Sequence, residues 1–556
     1  MPELHGIGIG RRVAVGPVLR MAAPLAAPTS EPLEGDPADA IAAVDAAVAK
    51  VADDLVFRGS VAGGDARDVL EAQALMAKDP ALRDLVVARI ESGTNAERAV
   101  HEAFDEFKQM LIGLGGYLGE RAADLGDVAQ RIIAGLRGVA APGVPESTTP
   151  YILVAEDLAP ADTVLLDLDI VLGLITREGG PTSHTAILAR ARSIPAIVGV
   201  AGAEALTDGQ QVVLDAGAGT VTVEPDPETL DTAAIRIREL AAIATAPITP
   251  GALADGTAVP LLANLGSPKD AAAAVELGAE GVGLFRTEFL FLDSTERPSV
   301  ETQTEQYRDM LSHFRGKKVV VRCLDAGADK PLPYLTADNE ENPALGLRGL
   351  RALREHEEIL RDQLAALVNA EAAVAADGEP ADLWVMAPMV ADAEETEYFV
   401  ALARELGLKT VGVMAEVPSL ALQADSVLAE CDFVSIGTND LTQYTMAADR
   451  MLGSVAHYQD PWHPAVLRLV KMLADAGVAA GRPVGVCGEA AADPQLAVVL
   501  VGLGVTSLSM TPAALAEVRA ELALRTPEDA RRLAEAALAA PSAAAARAAA
   551  TIVPTA

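Results

Sequence analysis

Aromatic residues are scarce in this chain: Phe, Tyr and Trp make up 3% of its 556 residues. Its cores must therefore be built from Ala, Val, Leu and Ile, which carry the hydrophobic fraction to 51%. Cysteine is almost missing. Cys323, Cys431 and Cys487 stand far apart, which excludes a disulfide framework and a zinc pattern and fits a reducing cytoplasm. No uninterrupted apolar run is long enough to span a bilayer, so direct membrane insertion is not expected. A signal peptide is not expected either, because Gly16, Pro17 and Arg20 break the mildly apolar stretch after Arg11 and Arg12. Basic residues are outnumbered, 43 Lys and Arg against 79 Asp and Glu, for a net charge of −36. Such a balance repels nucleic acid and anionic lipid and attracts basic partners.

What is present is a change of pattern along the chain. Residues 1–20 alternate Gly with Ile and Val and read as short strands. The run Gly6-Ile7-Gly8-Ile9-Gly10 looks like part of a dinucleotide fingerprint, but no helix follows it, so that reading is rejected. From about 38 to 137 the apolar spacing is helical throughout, which predicts a bundle. Residues 31–145 hold 20 Asp or Glu against 11 Lys or Arg. That excess is either an ordinary solvated surface or a docking face for a basic protein. Strands and helices mix again over 150–224. From 258 onward eight strand–helix alternations are expected, with strands at 259–264, 281–287, 318–324, 383–389, 410–416, 432–438, 483–488 and 506–510. That is the arithmetic of a (β/α)8 barrel.

The expected organisation is an α/β domain from 1–21 plus 145–225, interrupted by a helical bundle at 30–142. A linker helix and hinge follows at 226–250, with Pro247 and Pro250 at its end. The barrel takes 251–540, and an Ala-rich tail, 541–556, is expected to fray.

Two places carry chemistry. The first is Gly179-Gly180-Pro181-Thr182-Ser183-His184-Thr185-Ala186, where a Gly-rich turn leads into an apolar, helix-forming stretch. A helix start favours an anion, and an imidazole nitrogen is a nucleophile, so His184 suits a phosphate carrier. The other reading is a helix cap with a surface histidine beside it. The second place is the C-terminal rim of the barrel, where barrel enzymes work. There the strand ends supply Arg286, Arg322, Glu416, Asn439, Asp440 and Cys487, with Arg450 just beyond. Arg286 and Arg322 suit a phosphate or carboxylate clamp; Arg450 is either a further positive contact or a surface salt bridge, with Lys330 and Arg348 weaker candidates of the same kind. Glu416 and Asp440 are hard oxygen ligands that suit Mg2+. Cys487 is either buried filler or a thiol that protonates an enolate; Cys323 and Cys431 are read as filler. Together the rim suits a small, doubly anionic, metal-chelating substrate whose phosphate leaves.

At this point the chain resembles Enzyme I of the bacterial phosphoenolpyruvate-dependent sugar phosphotransferase system, over almost its whole length. The segments that carry the resemblance are residues 179–186, Gly283-Leu284-Phe285-Arg286-Thr287-Glu288-Phe289-Leu290, Glu416-Val417-Pro418-Ser419, the run 435–444 and Val486-Cys487-Gly488-Glu489. In the helical region Glu120-Arg121-Ala122-Ala123-Asp124, Asp127 and Arg131 resemble the family's bundle. The resemblance implies that His184 is phosphorylated on Nε2, with Thr163 bonded to the ring. It implies that Arg286, Arg322, Asn439 and Arg450 bind phosphoenolpyruvate, that Glu416 and Asp440 hold Mg2+, and that Cys487 gives pyruvate by protonating the enolate. The phosphoryl group then passes to phosphocarrier protein HPr docked on the bundle, in a cytoplasmic homodimer joined through its barrels. The His184 domain would have to swing between barrel and carrier. Three departures are visible: Cys323 where threonine is usual, Ala328 for the second glycine of a Gly-Gly pair, and Gln73 where many members have histidine. Pyruvate phosphate dikinase and phosphoenolpyruvate synthase share single motifs. They carry a nucleotide-grasp domain ahead of the histidine, where this chain has a bundle and no P-loop pattern. A phosphoenolpyruvate sensor without turnover is the reading from another class, and intact candidates at every catalytic position speak against it.

Overall fold

The computed structural model describes residues 2–22, 25–62, 64–114, 122–139, 141, 143–145, 147–158, 166–167, 169–180, 183, 185–186, 188–189, 194–292, 297–326, 332, 335, 340, 342–450 and 452–550. The chain divides into two compact units, Met1–Arg238 and Glu239–Ala556. His184, Thr163 and Lys330 lie outside the described residues.

In the first unit, strands β1 (Glu3–His5), β2 (Ile7–Ile9) and β3 (Val13–Arg20) precede five described helices. These are α1 (Pro37–Ala62), α2 (Gly64–Ala77), α3 (Pro80–Glu91), α4 (Ala96–Leu114) and α5 (Ala122–Arg137). The break between α2 and α3 is chemical. Asp79 caps α3 by accepting from the Ala81 and Leu82 N–H groups, and Pro80 stands in its first turn, where a missing N–H costs nothing. Small and branched side chains such as Ala52, Leu55, Ile90, Val100 and Ile132 fill the bundle. Close helix packing follows from Ala at the contacts and needs few aromatics.

The chain then returns to the sheet it left. Strands β4 (Tyr151–Ala155), β5 (Val171–Thr176), β6 (Ala196–Val198), β7 (Gln211–Asp215) and β8 (Thr220–Val223) join the first three in the order β1-β8-β7-β3-β4-β5-β6-β2. The pairs β3–β4, β4–β5 and β5–β6 are parallel, and the outer pairs are antiparallel. The Gly6–Gly10 run is explained here as edge strand. A Cβ at Gly8 would lie 1.8 Å from the Ala216 carbonyl oxygen, so the chain needs glycine for close approach and not for a cofactor.

The second unit is a closed barrel. Strands β9 (Leu261–Leu265), β10 (Val282–Phe285), β11 (Lys318–Arg322), β12 (Asp382–Ala387), β13 (Thr410–Ala415), β14 (Phe433–Ile436), β15 (Val484–Val486) and β16 (Ser507–Met510) are all parallel, and β16 closes on β9. Each expected strand is found, within a few residues of its expected ends. The strands are buried on both faces, which is why they read as near-continuous apolar runs. The interior is filled by Leu284, Val320, Met386, Met414, Phe433 and Cys487, with Trp384 against them. This is a packed core, and polar chemistry is confined to its ends.

The tail differs from expectation. Residues Ala543–Ala550 form a helix with Ala546 and Ala550 buried. Arg547 pairs with Asp460 at 3.1 Å and lies over the Trp462 ring. Alanine-rich composition was read as fraying, but alanine is the best helix former and its small side chain docks closely. No helix among the described residues is long and apolar enough to cross a membrane.

Candidate active site at the barrel mouth

Four carboxylates and two guanidinium groups are buried together at the C-terminal ends of the barrel strands. Arg322 closes β11. Its Nη2 donates to Glu288 Oε1 at 2.7 Å, and its Nη1 lies 3.0 Å from Asp325 Oδ2 and 3.8 Å from Glu416 Oε1. Burial works against its charge, but Glu288, Asp325 and Glu416 outweigh that cost and hold it protonated. Its buried Nε–H has no hydrogen-bond partner among the described residues. An unmet donor of this kind at a barrel mouth is a place for an anionic acceptor.

Arg348 is held on three nitrogens. Nε and Nη2 donate to Asp325 at 3.2 and 3.1 Å, while Nη1 and Nη2 donate to Asp440 at 3.0 and 3.1 Å. Nη1 also meets the Tyr444 hydroxyl at 3.1 Å. Arg348 thus joins the loop after β11 to the helix Thr438–Met446. The next residue, Gly349, has φ +58°, and a Cβ there would lie 2.7 Å from Met389 Cβ. A side chain at 349 would meet both strain and overlap.

Glu416 follows β13 and is buried. Its Oε2 accepts from the Met389 N–H at 2.9 Å. Burial, then Asp440 and Asp325, push its carboxyl up to about 8. Asp440 sits in the first turn of its helix, where a carboxylate is favoured by the dipole. Arg450 Nη1 lies 3.6 Å from Asp440 Oδ2 and is a quarter exposed. Asn439 uses Oδ1 to accept from the Glu489 N–H at 3.0 Å, which ties the ends of β14 and β15. Arg286 lies just past β10 and is exposed.

Cys487 lies at the same end, buried, with its Sγ 3.5 Å from the Ile436 carbonyl oxygen. Burial pushes its thiol up to about 12, against a hydrogen bond from Ser435 and the fields of Arg322 and Arg286. A thiol there stays protonated, as a proton donor must. Asn264 Nδ2 holds the Cys487 carbonyl at 2.8 Å, fixing the backbone beneath the sulfur. Cys323 and Cys431 are buried, in keeping with the reading as filler.

The fold therefore brings Arg322, Arg348, Glu416, Asn439, Asp440, Arg450 and Cys487 to one end of the barrel. Glu288 and Asp325 were visible as polar strand ends but were not singled out. Met389 and Gln363 were missed altogether. Gln363 left a signal, a glutamine inside the apolar stripe Leu360, Leu364 and Leu367 of the helix Glu357–Ala376.

In the first unit, the neighbours of His184 are described. Ser183 Oγ accepts from the Ala186 N–H at 3.3 Å, the geometry of an N-cap. Thr185 Oγ1 donates to Asp157 Oδ1 at 3.2 Å. In the bundle, the Gln73 amide is buried and donates to Asp124 Oδ1 at 3.0 Å, tying α2 to α5.

Gly488 tests how tight this rim is. A Cβ there would lie 1.9 Å from Thr438 Oγ1 and 2.5 Å from the Thr438 nitrogen. Gly488→Ala is expected to displace the Thr438–Asp440 turn and cost about 1–3 kcal/mol. A melting curve and a turnover assay check it; normal values for both would show that the rim has slack.

Comparison with known proteins follows the same division. Family models described as the PEP-binding domain, the mobile domain and the N-terminal region of PEP-utilising enzymes match residues 241–526, 148–219 and 5–121. The chain is 53% identical over 553 residues to a phosphoenolpyruvate-protein phosphotransferase of Streptomyces coelicolor, covering 99% of each chain. It is 42% identical over 491 residues to a protein of the same name from Haloferax volcanii, covering 85% of this chain and 84% of that one. A third, from Bacillus subtilis, is 36% identical over 558 residues, covering 96% of each.

Proposed function

The chain belongs to the phosphoenolpyruvate-protein phosphotransferase family, Enzyme I of the sugar phosphotransferase system, and from that premise we propose which of its residues do the chemistry. The protein is a transferase that takes phosphoenolpyruvate as its phosphoryl donor. The observation that carries the assignment of the site is the Nε–H of buried Arg322, without a partner among the described residues, on a side chain whose Nη1 lies 3.8 Å from Glu416, at the barrel end that also carries Asp440 and Cys487.

Arg322 and Arg286 bind the phosphate and carboxylate of phosphoenolpyruvate, with Asn439 and Arg450 at the rim. Lys330 belongs to the same set of anion-binding candidates. Arg348 holds the site together through Asp325 and Asp440. His184 Nε2 attacks phosphorus, forming an N–P bond as the bond from phosphorus to the enol oxygen breaks. Thr163 bonds to the histidine ring. The electron pair left on the enolate takes the Cys487 proton at carbon, and pyruvate forms. The thiolate then regains a proton from solvent.

The donor set fits Mg2+. In the described cluster the carboxyl groups of Glu288, Asp325, Glu416 and Asp440 meet the guanidinium groups of Arg322 and Arg348, with Arg450 reaching Asp440 from the rim. Glu416 and Asp440 are hard oxygen donors, and among the described residues no third ligating side chain joins them. That suits an ion that completes its shell from substrate oxygens and water. When bound, Mg2+ supplies neutralisation of charge on the phosphate and enolate oxygens.

The phosphoryl group on His184 passes to a histidine of phosphocarrier protein HPr. The acidic bundle, residues 30–142, supplies the docking face, and Gln73 occupies a point where many relatives have histidine. Residues 226–250, whose helix Pro227–Ala244 buries only Ala233 among its apolar side chains, serve as the hinge. The α/β histidine domain is 1–21 plus 145–225, and 251–540 is the barrel through which two copies pair in the cytoplasm.

Cys487→Ala is expected to bind phosphoenolpyruvate normally and to make pyruvate slowly, by about 10²-fold or more, because general acid catalysis is lost. Ligand titration and pyruvate release measure the two halves separately. Unchanged pyruvate release would remove Cys487 from the mechanism.

A further inference from the structure

The two arginines expected to clamp the substrate phosphate lie on different strands. Arg286 follows β10, and Arg322 ends β11. Their separation depends on what ties the two strand ends together. One buried side chain from outside the barrel does so. Gln363 lies on the helix Glu357–Ala376 and has no exposure to solvent. Its Nε2 donates to Thr287 Oγ1 at 3.1 Å and to the Tyr307 hydroxyl at 2.9 Å, and its Oε1 accepts from the Leu324 N–H at 2.9 Å. Thr287 Oγ1 in turn donates to the Arg322 carbonyl at 3.0 Å. The Tyr307 hydroxyl passes its own hydrogen bond to Gln303 Oε1 at 3.3 Å.

The direction of every bond is forced. The Leu324 N–H needs an acceptor, so the amide oxygen must face it. The NH2 group must then face Thr287 and Tyr307, and both hydroxyls must donate onward. Reversing the amide would set two donors against each other at Leu324 and leave a buried mismatch. The amide therefore has one orientation, and through it three points have one arrangement: Thr287 next to Arg286, the Arg322 carbonyl, and Leu324 next to Asp325. Asp325 holds both Arg322 and Arg348. An apolar residue of the same volume would fill this space but leave the buried Leu324 N–H without its acceptor. A fully satisfied polar hub instead fixes geometry, which is what such networks do when complete.

We propose that Gln363 is a positioning residue that sets the spacing of Arg286 and Arg322 on phosphoenolpyruvate by tying Thr287 to Leu324. It touches no substrate and acts through Thr287 and the backbone of β11. The proposal rests on the assignment of those two arginines made above.

The test uses the full-length protein and separates loading from unloading. Thr287→Val removes the hydroxyl at nearly constant volume, and Thr287→Ser keeps it. Gln363→Met removes the amide. Thr287→Val and Gln363→Met are each expected to raise KM for phosphoenolpyruvate roughly tenfold, the worth of one lost buried hydrogen bond. Thr287→Ser should stay near wild type. Transfer of label from preloaded protein to the phosphocarrier should be unchanged in all of them. The double variant should be no worse than the worse single one, because both break one chain. Unchanged KM with a lower melting temperature would reduce Gln363 to a structural role and overturn the proposal. Additive effects would also overturn it. If Gln363→Met does not fold, the Thr287 pair decides: equal KM for Val and Ser refutes the proposal. Failure of the underlying assignment looks different, since wild-type protein would then not load from phosphoenolpyruvate or would load normally without Arg286 and Arg322.

Discussion

Given labelled phosphoenolpyruvate and Mg2+ without ATP, the wild-type protein is expected to acquire an acid-labile, base-stable label, and His184→Ala is expected to acquire none. The effect should be total, because every phosphoryl group passes through one nitrogen. Acid lability marks a phosphorus–nitrogen bond, and base stability excludes a serine or threonine ester. Four of the other six histidines have neighbours of their own. His463 caps a helix by accepting the Ala465 N–H on Nδ1 at 3.2 Å. His313 and His356 sit beside carboxylates, and His457 stacks on Tyr458. His184 instead lies between Ser183, in capping geometry, and the buried Thr185. A helix start of that kind favours the dianionic product over an unmodified ring elsewhere. Equal labelling of His184→Ala would falsify the assignment. Absence of label on wild type would point to the sensor reading.

The second large effect concerns two arginines that sequence reasoning grouped together. Arg348→Met is expected to cost about 3–5 kcal/mol of stability, since removing one member of a buried ion pair leaves charge unmet. Here two aspartates, Asp325 and Asp440, lose their shared partner at once. Arg450→Met is expected to change stability by less than about 1 kcal/mol, because its pair is longer and partly solvated. Its loss should fall on KM for phosphoenolpyruvate. Denaturant unfolding measures the first and initial rates the second. Equal melting of Arg348→Met and wild type would mean that the carboxylates find other partners, and the view of Arg348 as a bridge would be wrong.

The contrast shows where sequence reading reached its limit. Arg286, Arg322, Glu416, Asp440 and Cys487 were legible because barrel geometry assigns strand ends to one face. That rule places a residue but does not say what it touches. Arg348 lies in a loop, and only the folded chain shows Asp325, in the loop after β11, and Asp440, in the helix Thr438–Met446, gripping it from two sides. Met389 contributes a backbone N–H to Glu416, and a backbone donor has no residue code. It adopts φ +57°, a conformation that a methionine rarely takes. Gln363 is a distant helix residue, and its partners come from three separate segments.

The tail teaches the same lesson at lower stakes. Alanine repeats gave no periodic contrast, so 543–550 read as fraying, yet Arg547 and two buried alanines dock it. The expected bundle was legible for the opposite reason, since strong periodicity over many turns leaves little choice.

By itself the sequence determined the elements of this protein, their alternation and the identity of its reactive groups. Those depend on local periodicity, turn chemistry and side-chain type, all carried by neighbouring residues. Tertiary structure alone decided the charge balance: which guanidinium is bonded on every side and which keeps an N–H without a partner among the described residues. That depends on distances of a few ångströms between residues many positions apart, in a desolvated site where each unpaired charge is costly.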